Sequence, residues 1–148
     1  MPRYLDDFTV GQTFETPRRT ITETDIVNFA AFSGDWNPVH TDEVFAKETP
    51  FGERIAHGPM SIGMAFGLLS RLDLFDGSVQ ALRNVEWSFE APVRIGDTVR
   101  LVAEVEAVSP HPKQGDRGRL TMTAHYLNQR DDRVSRGRFT VVIRRESS

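Results

Sequence analysis

The sequence predicts an α+β fold in which one long apolar helix packs on a curved antiparallel sheet. Three observations carry this. Residues 58 to 72 hold Met60, Ile62, Met64, Phe66, Leu68 and Leu69 and leave no polar face, the pattern of a helix buried nearly all round. Residues 97 to 109 alternate, with Val99, Leu101, Ala103, Val105 and Ala107 set against Arg100, Glu104 and Glu106, as a strand with one buried face does. The order is strand, helix, buried helix, then extended segments in series, which fits an α+β domain.

Val10-Gly11 marks a turn before a first strand over residues 12 to 21. Thr22-Glu-Thr-Asp25 resembles a capping box with Asp in the usual Glu position. It starts a helix running to about Phe32, with Ile26, Phe29, Ala30 and Phe32 on the apolar side. Gly34 follows as a stop, so Asp35 falls in a loop. Residues 41 to 47 make one short helical turn, and residues 49 to 54 are irregular. Within the apolar helix, Gly63 and Gly67 lie four apart on one side. An interior glycine costs about 1 kcal/mol, so the pair implies close approach by a neighbouring backbone, here a sheet wrapped around the helix. Residues 80 to 90 are extended and end at the turn Ala91-Pro92. Residues 110 to 118 form a polar hairpin loop. Strands over 119 to 127 and 134 to 143, separated by Gln129-Arg-Asp-Asp132, complete the sheet.

With 148 residues, the chain suits one domain, 1–148, with a real core. No internal repeat or linker divides it. An apolar content of 39% and a charged content of 26% fit a soluble globular chain. A net charge of −3 gives no reason to expect nucleic acid or an anionic membrane as partner. The absence of cysteine excludes disulfides, thiolate metal sites and a cysteine nucleophile. Residues 1 to 8 lack the apolar stretch of a signal peptide, and the apolar run 59 to 69 is too short to span a bilayer. The expectation is a cytoplasmic enzyme or binding domain.

The most informative run is Phe32-Ser-Gly-Asp35-Trp-Asn37-Pro38-Val-His40, continuing to Ala46. It sets Asp35 and His40 five residues apart across a bend made by Gly34 and Pro38. Five is the wrong spacing for one helix face. In a bent loop, two such side chains can converge on one small molecule. A carboxylate and an imidazole sharing a water is a common way to move protons near neutral pH. Each residue alone has a plainer reading, Asp35 as a turn residue and His40 as a loop histidine with one hydrogen bond.

This run resembles the signature of the MaoC-like dehydratase family, which includes the R-specific enoyl-CoA hydratases. The signature is a small residue, Gly-Asp, one residue, Asn-Pro, an aliphatic residue, His, five residues, then Ala or Ser. Ser33 to His40, followed by Ala46, matches every element. Ile55-Ala-His57-Gly58-Pro-Met60 is similar to the family's start of the central helix. Phe89-Glu-Ala-Pro-Val-Arg-Ile-Gly-Asp97 is similar to its strand-turn-strand element, and Asp7 to Gly11 to its opening. The resemblance implies a hot-dog fold, a homodimer or higher homo-oligomer, and an acyl-CoA or acyl-carrier-protein thioester as substrate.

It further implies reversible hydration of a trans-2-enoyl thioester to the (3R)-3-hydroxyacyl product. Asp35 and His40 would hold and activate the water. The backbone N–H of Gly58 would stabilise the thioester oxygen, where free amides and the helix dipole favour negative charge. His57 would either contact the substrate or pack at the helix start. Asn37, Gly34 and Pro38 would support the loop. No cofactor and no metal is implied. Asp35, His40 and His57 could be drawn as a metal site, but no spacing resembles a helical zinc motif. Arg18, Arg19, Arg54 and Arg94 could meet coenzyme A phosphates, although scattered surface arginines are the plainer reading. His111 and His125 receive no role. Phe66 stands where some family hydratases carry a small polar residue. If it faces the pocket, it favours short or branched acyl groups.

Two rivals remain. A thioesterase can be built on the same fold, but the Asp-x-Asn-Pro-x-His element argues for the dehydratase branch. A non-catalytic or partner-dependent subunit of a hot-dog heterodimer is the third reading, and the presence of both Asp35 and His40 argues against it.

Overall fold

The computed structural model describes residues 1–146. After a single turn of 3-10 helix at Leu5–Asp7, the chain forms β1 (Thr13–Glu15), β2 (Arg19–Thr20), α1 (Glu23–Ser33), α2 (Pro38–Thr41), α3 (Glu43–Lys47) and α4 (Gly58–Ser70). Four long strands follow: β3 (Val79–Phe89), β4 (Thr98–Pro110), β5 (Arg117–Leu127) and β6 (Arg133–Arg144). The sheet runs β1-β4-β5-β6-β3, with β2 also paired to β4. All its pairings are antiparallel, and it is not closed into a barrel. With α4 laid on the concave face, this is the hot-dog arrangement that the resemblance implies.

The core forms where α4 meets the sheet. Met60, Ala65, Leu68 and Leu69 pack with Val99, Leu101, Val105, Leu120, Met122 and Phe139 in one buried cluster. Register shifts in β4 between Val105 and Ala107, and in β5 between Tyr126 and Leu127, are irregularities of the kind that bends a sheet. The first of these also moves the inward face. Beyond it Val108, rather than following the alternation through Ala107, packs against the core.

Two expectations about elements change. The strand expected over 12 to 21 is two short strands, because the chain breaks at Thr16-Pro17-Arg18. Proline cannot donate to a ladder, and Thr16 instead accepts from the Leu101 N–H through its hydroxyl. The central helix is not buried all round. Pro59, Gly63, Gly67 and Ser70 form an open row on the side away from the sheet. A Cβ on Gly63 or Gly67 would meet nothing within 4 Å among the described residues. The sheet covers one face of α4 and leaves the glycine face free. Helical periodicity shows that a face is apolar; it does not show that the same chain covers it.

Helix α1 forms as its sequence dictates. Thr22 accepts from the Asp25 N–H and the Asp25 carboxylate accepts from the Thr22 N–H, so two orphan donors are satisfied reciprocally. Ile26 and Ala30 are buried, while Phe32 is 89% exposed and does not join the apolar side. Gly34 ends the helix at φ 77°, a left-handed conformation that glycine adopts without a side-chain penalty. That turn delivers Asp35 to the loop between α1 and α2.

Candidate functional site

The loop after α1 is held by its own side chains. The Asn37 N–H donates to Asp35 Oδ1 at 3.1 Å, and the Val39 N–H donates to Asn37 Oδ1 at 3.2 Å. Asn37 thus caps α2, with Pro38 in its first turn, where a proline has no useful N–H to lose. His40 therefore lies on a short helix rather than in the open loop expected. Thr41 donates its hydroxyl to the carbonyls of Trp36 and Asn37 and closes the unit.

Chain distant in sequence fixes the imidazole. His40 Nδ1 lies 2.7 Å from the Ile55 carbonyl oxygen. A carbonyl only accepts, so Nδ1 carries the proton. In the neutral ring, Nε2 is then the free acceptor. Ile55 is itself held, its N–H on the Val39 carbonyl and its backbone bridged to Arg94. Arg54 donates to Glu23 of α1 and Glu43 of α3, tying the segment before α4 to both helices.

Asp35, His40 and His57 each place a titratable atom within 4.8 Å of the other two. Two hydrogen bonds of ~2.8 Å meeting at a tetrahedral water span about 4.6 Å. An Asp35 carboxylate oxygen and a His40 ring nitrogen are therefore spaced to share one water. Asp35 is exposed and His40 partly so, whereas His57 is fully buried. His57 Nε2 lies 3.0 Å from the Asp35 main-chain oxygen, and its ring stacks on His40 with centroids 3.9 Å apart and planes at 26°. Burial, partly offset by the Asp35 carbonyl, pushes the His57 pKa below the usual histidine value.

The trio is poorly shaped for a metal. Imidazole lone pairs lie in the ring plane. Two stacked rings send theirs side by side, while a zinc site needs both aimed at one point about 2.0–2.1 Å away.

Helix α4 begins immediately after His57. Gly58 is its first residue, so its N–H has no intrahelical acceptor, and it borders a cleft of about 320 Å³. Phe51, Ile55, Ser61, Phe89 and Val134 line the same cleft. A Cβ at Gly58 would lie 3.2 Å from the Phe89 ring, so glycine keeps this amide approachable. Phe66 does not line the cleft. It packs edge-on against Phe139, centroids 4.9 Å apart, and the inference of a short acyl group from Phe66 loses its basis.

The structure thus gathers Asp35, His40, His57 and Gly58, with Gly34, Asn37 and Pro38 shaping the loop. Arg54 and Arg94 are engaged with Glu23, Glu43 and Glu53, and Arg19 with Asp25. Sequence reasoning missed Ile55, whose contribution is a backbone carbonyl and so leaves no residue-type signal. It also missed Phe51, Ser61 and Phe89, which only the fold brings to the cleft. No described helix is long and apolar enough to cross a membrane.

A family model described as a MaoC-like domain matches residues 7–125. The chain is 40% identical over 120 residues to the 3-hydroxybutyryl-CoA dehydratase of Methylorubrum extorquens, a match covering 81% of this chain and 73% of that protein. It is 39% identical over 110 residues to the (R)-specific enoyl-CoA hydratase of Rhodospirillum rubrum, covering 74% of each. The crystal structure of a MaoC-like dehydratase from Rhodospirillum rubrum superposes with a TM-score of 0.88 at 31% identity, covering 99% of both chains.

Proposed function

This chain belongs to the MaoC-like domain family, and from that premise we propose that it is a hydro-lyase that reversibly hydrates trans-2-enoyl-CoA to the (3R)-3-hydroxyacyl-CoA. The observation that carries the reading is the spacing of Asp35 and His40, within 4.8 Å, on a loop whose hydrogen bonds leave His40 Nε2 free.

Asp35 and His40 hold the water between them. As its oxygen adds to the β-carbon, one of the pair takes a proton, and the α-carbon receives one from the pair. Two groups this close titrate as a unit, so the exchange belongs to both. The carbonyl oxygen gains charge as the enolate forms. The Gly58 N–H, at the positive end of α4, is the donor for it. No metal or cofactor enters these steps.

Short acyl groups are the preferred substrates. The cleft beside Gly58 is small, and a relative covering most of the chain is named for a four-carbon substrate. The working unit is a homodimer. Strand β3 is a long sheet edge carrying Val79, Leu82 and Phe89 exposed, and a bare edge of this kind is normally paired or covered. The open glycine row of α4 gives a second surface for the other copy.

The test is loss of enoyl absorbance when purified protein meets crotonyl-CoA, with free thiol followed in parallel. Decay without thiol release supports a hydratase. Thiol release would move the reaction to thioester hydrolysis, and activity seen only with a second hot-dog chain would make this a partner-dependent subunit.

A further inference from the structure

We infer that His57 is a positioning residue that aligns the whole site: its Nε2–H clamps the Asp35 carbonyl, its ring forms the floor under His40, and its backbone starts the helix that presents the Gly58 N–H. The inference rests on the hydratase reading for its kinetic consequences only.

The geometry converges on one side chain. The acceptor at 3.0 Å is a carbonyl, so Nε2 must donate and Nδ1 must carry the lone pair. The ring lies between Phe29, centroids 4.8 Å apart, and His40 at 3.9 Å. It is 0% exposed, so it contacts no substrate. As the N-cap residue of α4 its backbone is extended, φ −61° and ψ 136°. Any tilt of the ring therefore moves Asp35 through the hydrogen bond, His40 through the stack and Gly58 through the chain.

The orphan nitrogen is the second observation. His57 Nδ1 is buried with no hydrogen-bond partner among the described residues, and the side chain does not cap its own helix. Buried polar atoms are seldom left unpaired, and an exception calls for an explanation. Here the arrangement keeps the ring neutral. A proton on Nδ1 would be buried without an acceptor and would put a cation against the His40 ring. The titratable groups around His57 are His40 from α2 and Asp35 from the preceding loop; α1 presents Phe29. With His57 neutral, positive charge that develops during turnover belongs to His40. No other natural side chain combines a flat face for stacking, an edge donor at this reach and neutrality. Phenylalanine keeps the face and loses the donor. Glutamine keeps a donor at the Nε2 position and loses the face.

Two measurements test this. Long-range proton–nitrogen NMR of the wild-type histidine rings reads the tautomer directly. The expected result is His57 in the Nε2–H form, with no titration where free imidazole titrates. An Nδ1–H tautomer, or a His57 that titrates like free imidazole, overturns the inference whatever the reaction. Kinetics is the other arm, because misplacing a reacting group by about 1 Å can cost about 10²-fold. His57→Phe is expected to lose about that factor in kcat with KM nearly unchanged, and His57→Gln to recover about tenfold of it. Wild-type kcat in His57→Phe, or a His57→Gln variant no better, overturns it. A wild-type protein inactive on every enoyl thioester yet carrying the expected tautomer would remove the hydratase reading and leave the clamp standing.

Discussion

The His40 ring is held by a hydrogen bond from its Nδ1 to the Ile55 carbonyl, 2.7 Å long and spanning fifteen residues of chain. Ile55 precedes Ala56, whose N–H in turn donates to the Val93 carbonyl at 2.8 Å. The imidazole is thus oriented by the connection that leads into α4, not by its own loop. It follows that His40→Ala should lower kcat by about 10²–10⁴-fold, the usual contribution of one positioned acid or base. Circular dichroism should be unchanged, because the lost contact is to a backbone group at a partly exposed edge. Activity near that of wild type would remove His40 from the chemistry.

Stability should depend on pH through His57. Burial lowers its folded pKa, while the unfolded chain takes up a proton near the ordinary value of about 6.5. Below that pH the unfolded state binds more protons, so stability is full above about 6.5 and falls as pH drops toward the folded value. The slope can reach about 1.4 kcal/mol per pH unit. Urea unfolding between pH 7.5 and 5.5 should show this fall in the wild type and a shallower one in His57→Phe. Parallel curves would mean that His57 titrates alike in both states.

Gly34→Ala should cost about 1–2 kcal/mol, because the residue holds φ 77° and a side chain is strained there. Nothing lies within 4 Å of the added Cβ, so the loss is conformational and not a clash. Turnover should fall as well, since this turn aims Asp35. A melt that lowers Tm without lowering kcat would show that the loop tolerates a shifted α1 end.

Gly137→Ala should be destabilising by about 1–3 kcal/mol, the range for overpacking a filled site. Gly137 pairs with Trp87 across β3 and β6, and a Cβ there would collide with the Trp87 indole. The indole is pinned by its N–H on the Ser135 hydroxyl at 3.0 Å, so it cannot swing aside freely. Tryptophan fluorescence in the folded variant should change with the stability. An unchanged Tm and spectrum would show that the strand pair yields instead.

The features legible in the sequence were those carried by local chemistry. Thr22 and Asp25 cap α1, and Gly34 ends it, because each acts on its own neighbours. The β4 alternation up to Val105 follows directly from a period of two. Asn37-Pro38 is also a readable helix start, a capping side chain followed by proline, and it was passed over in favour of a loop. What stayed hidden depends on the fold. The His57 ring meets Asp35 and His40 only when α4 returns to the end of α1. Phe66 turns to Phe139 and away from the cleft because the sheet is on that side. The glycine face of α4 reads as core in a linear pattern, yet it is open in the single chain.

The measurement to make first is decay of enoyl absorbance on crotonyl-CoA with wild type beside Asp35→Asn. The substitution is nearly isosteric and leaves Asn37 an oxygen to donate to, so the loop should keep its shape. Fast decay in the wild type and a loss of at least about 10²-fold in the variant is expected if the Asp35 carboxylate moves protons. Equal decay in both proteins would take Asp35 out of the reaction and with it the shared water on which the proposed hydration depends.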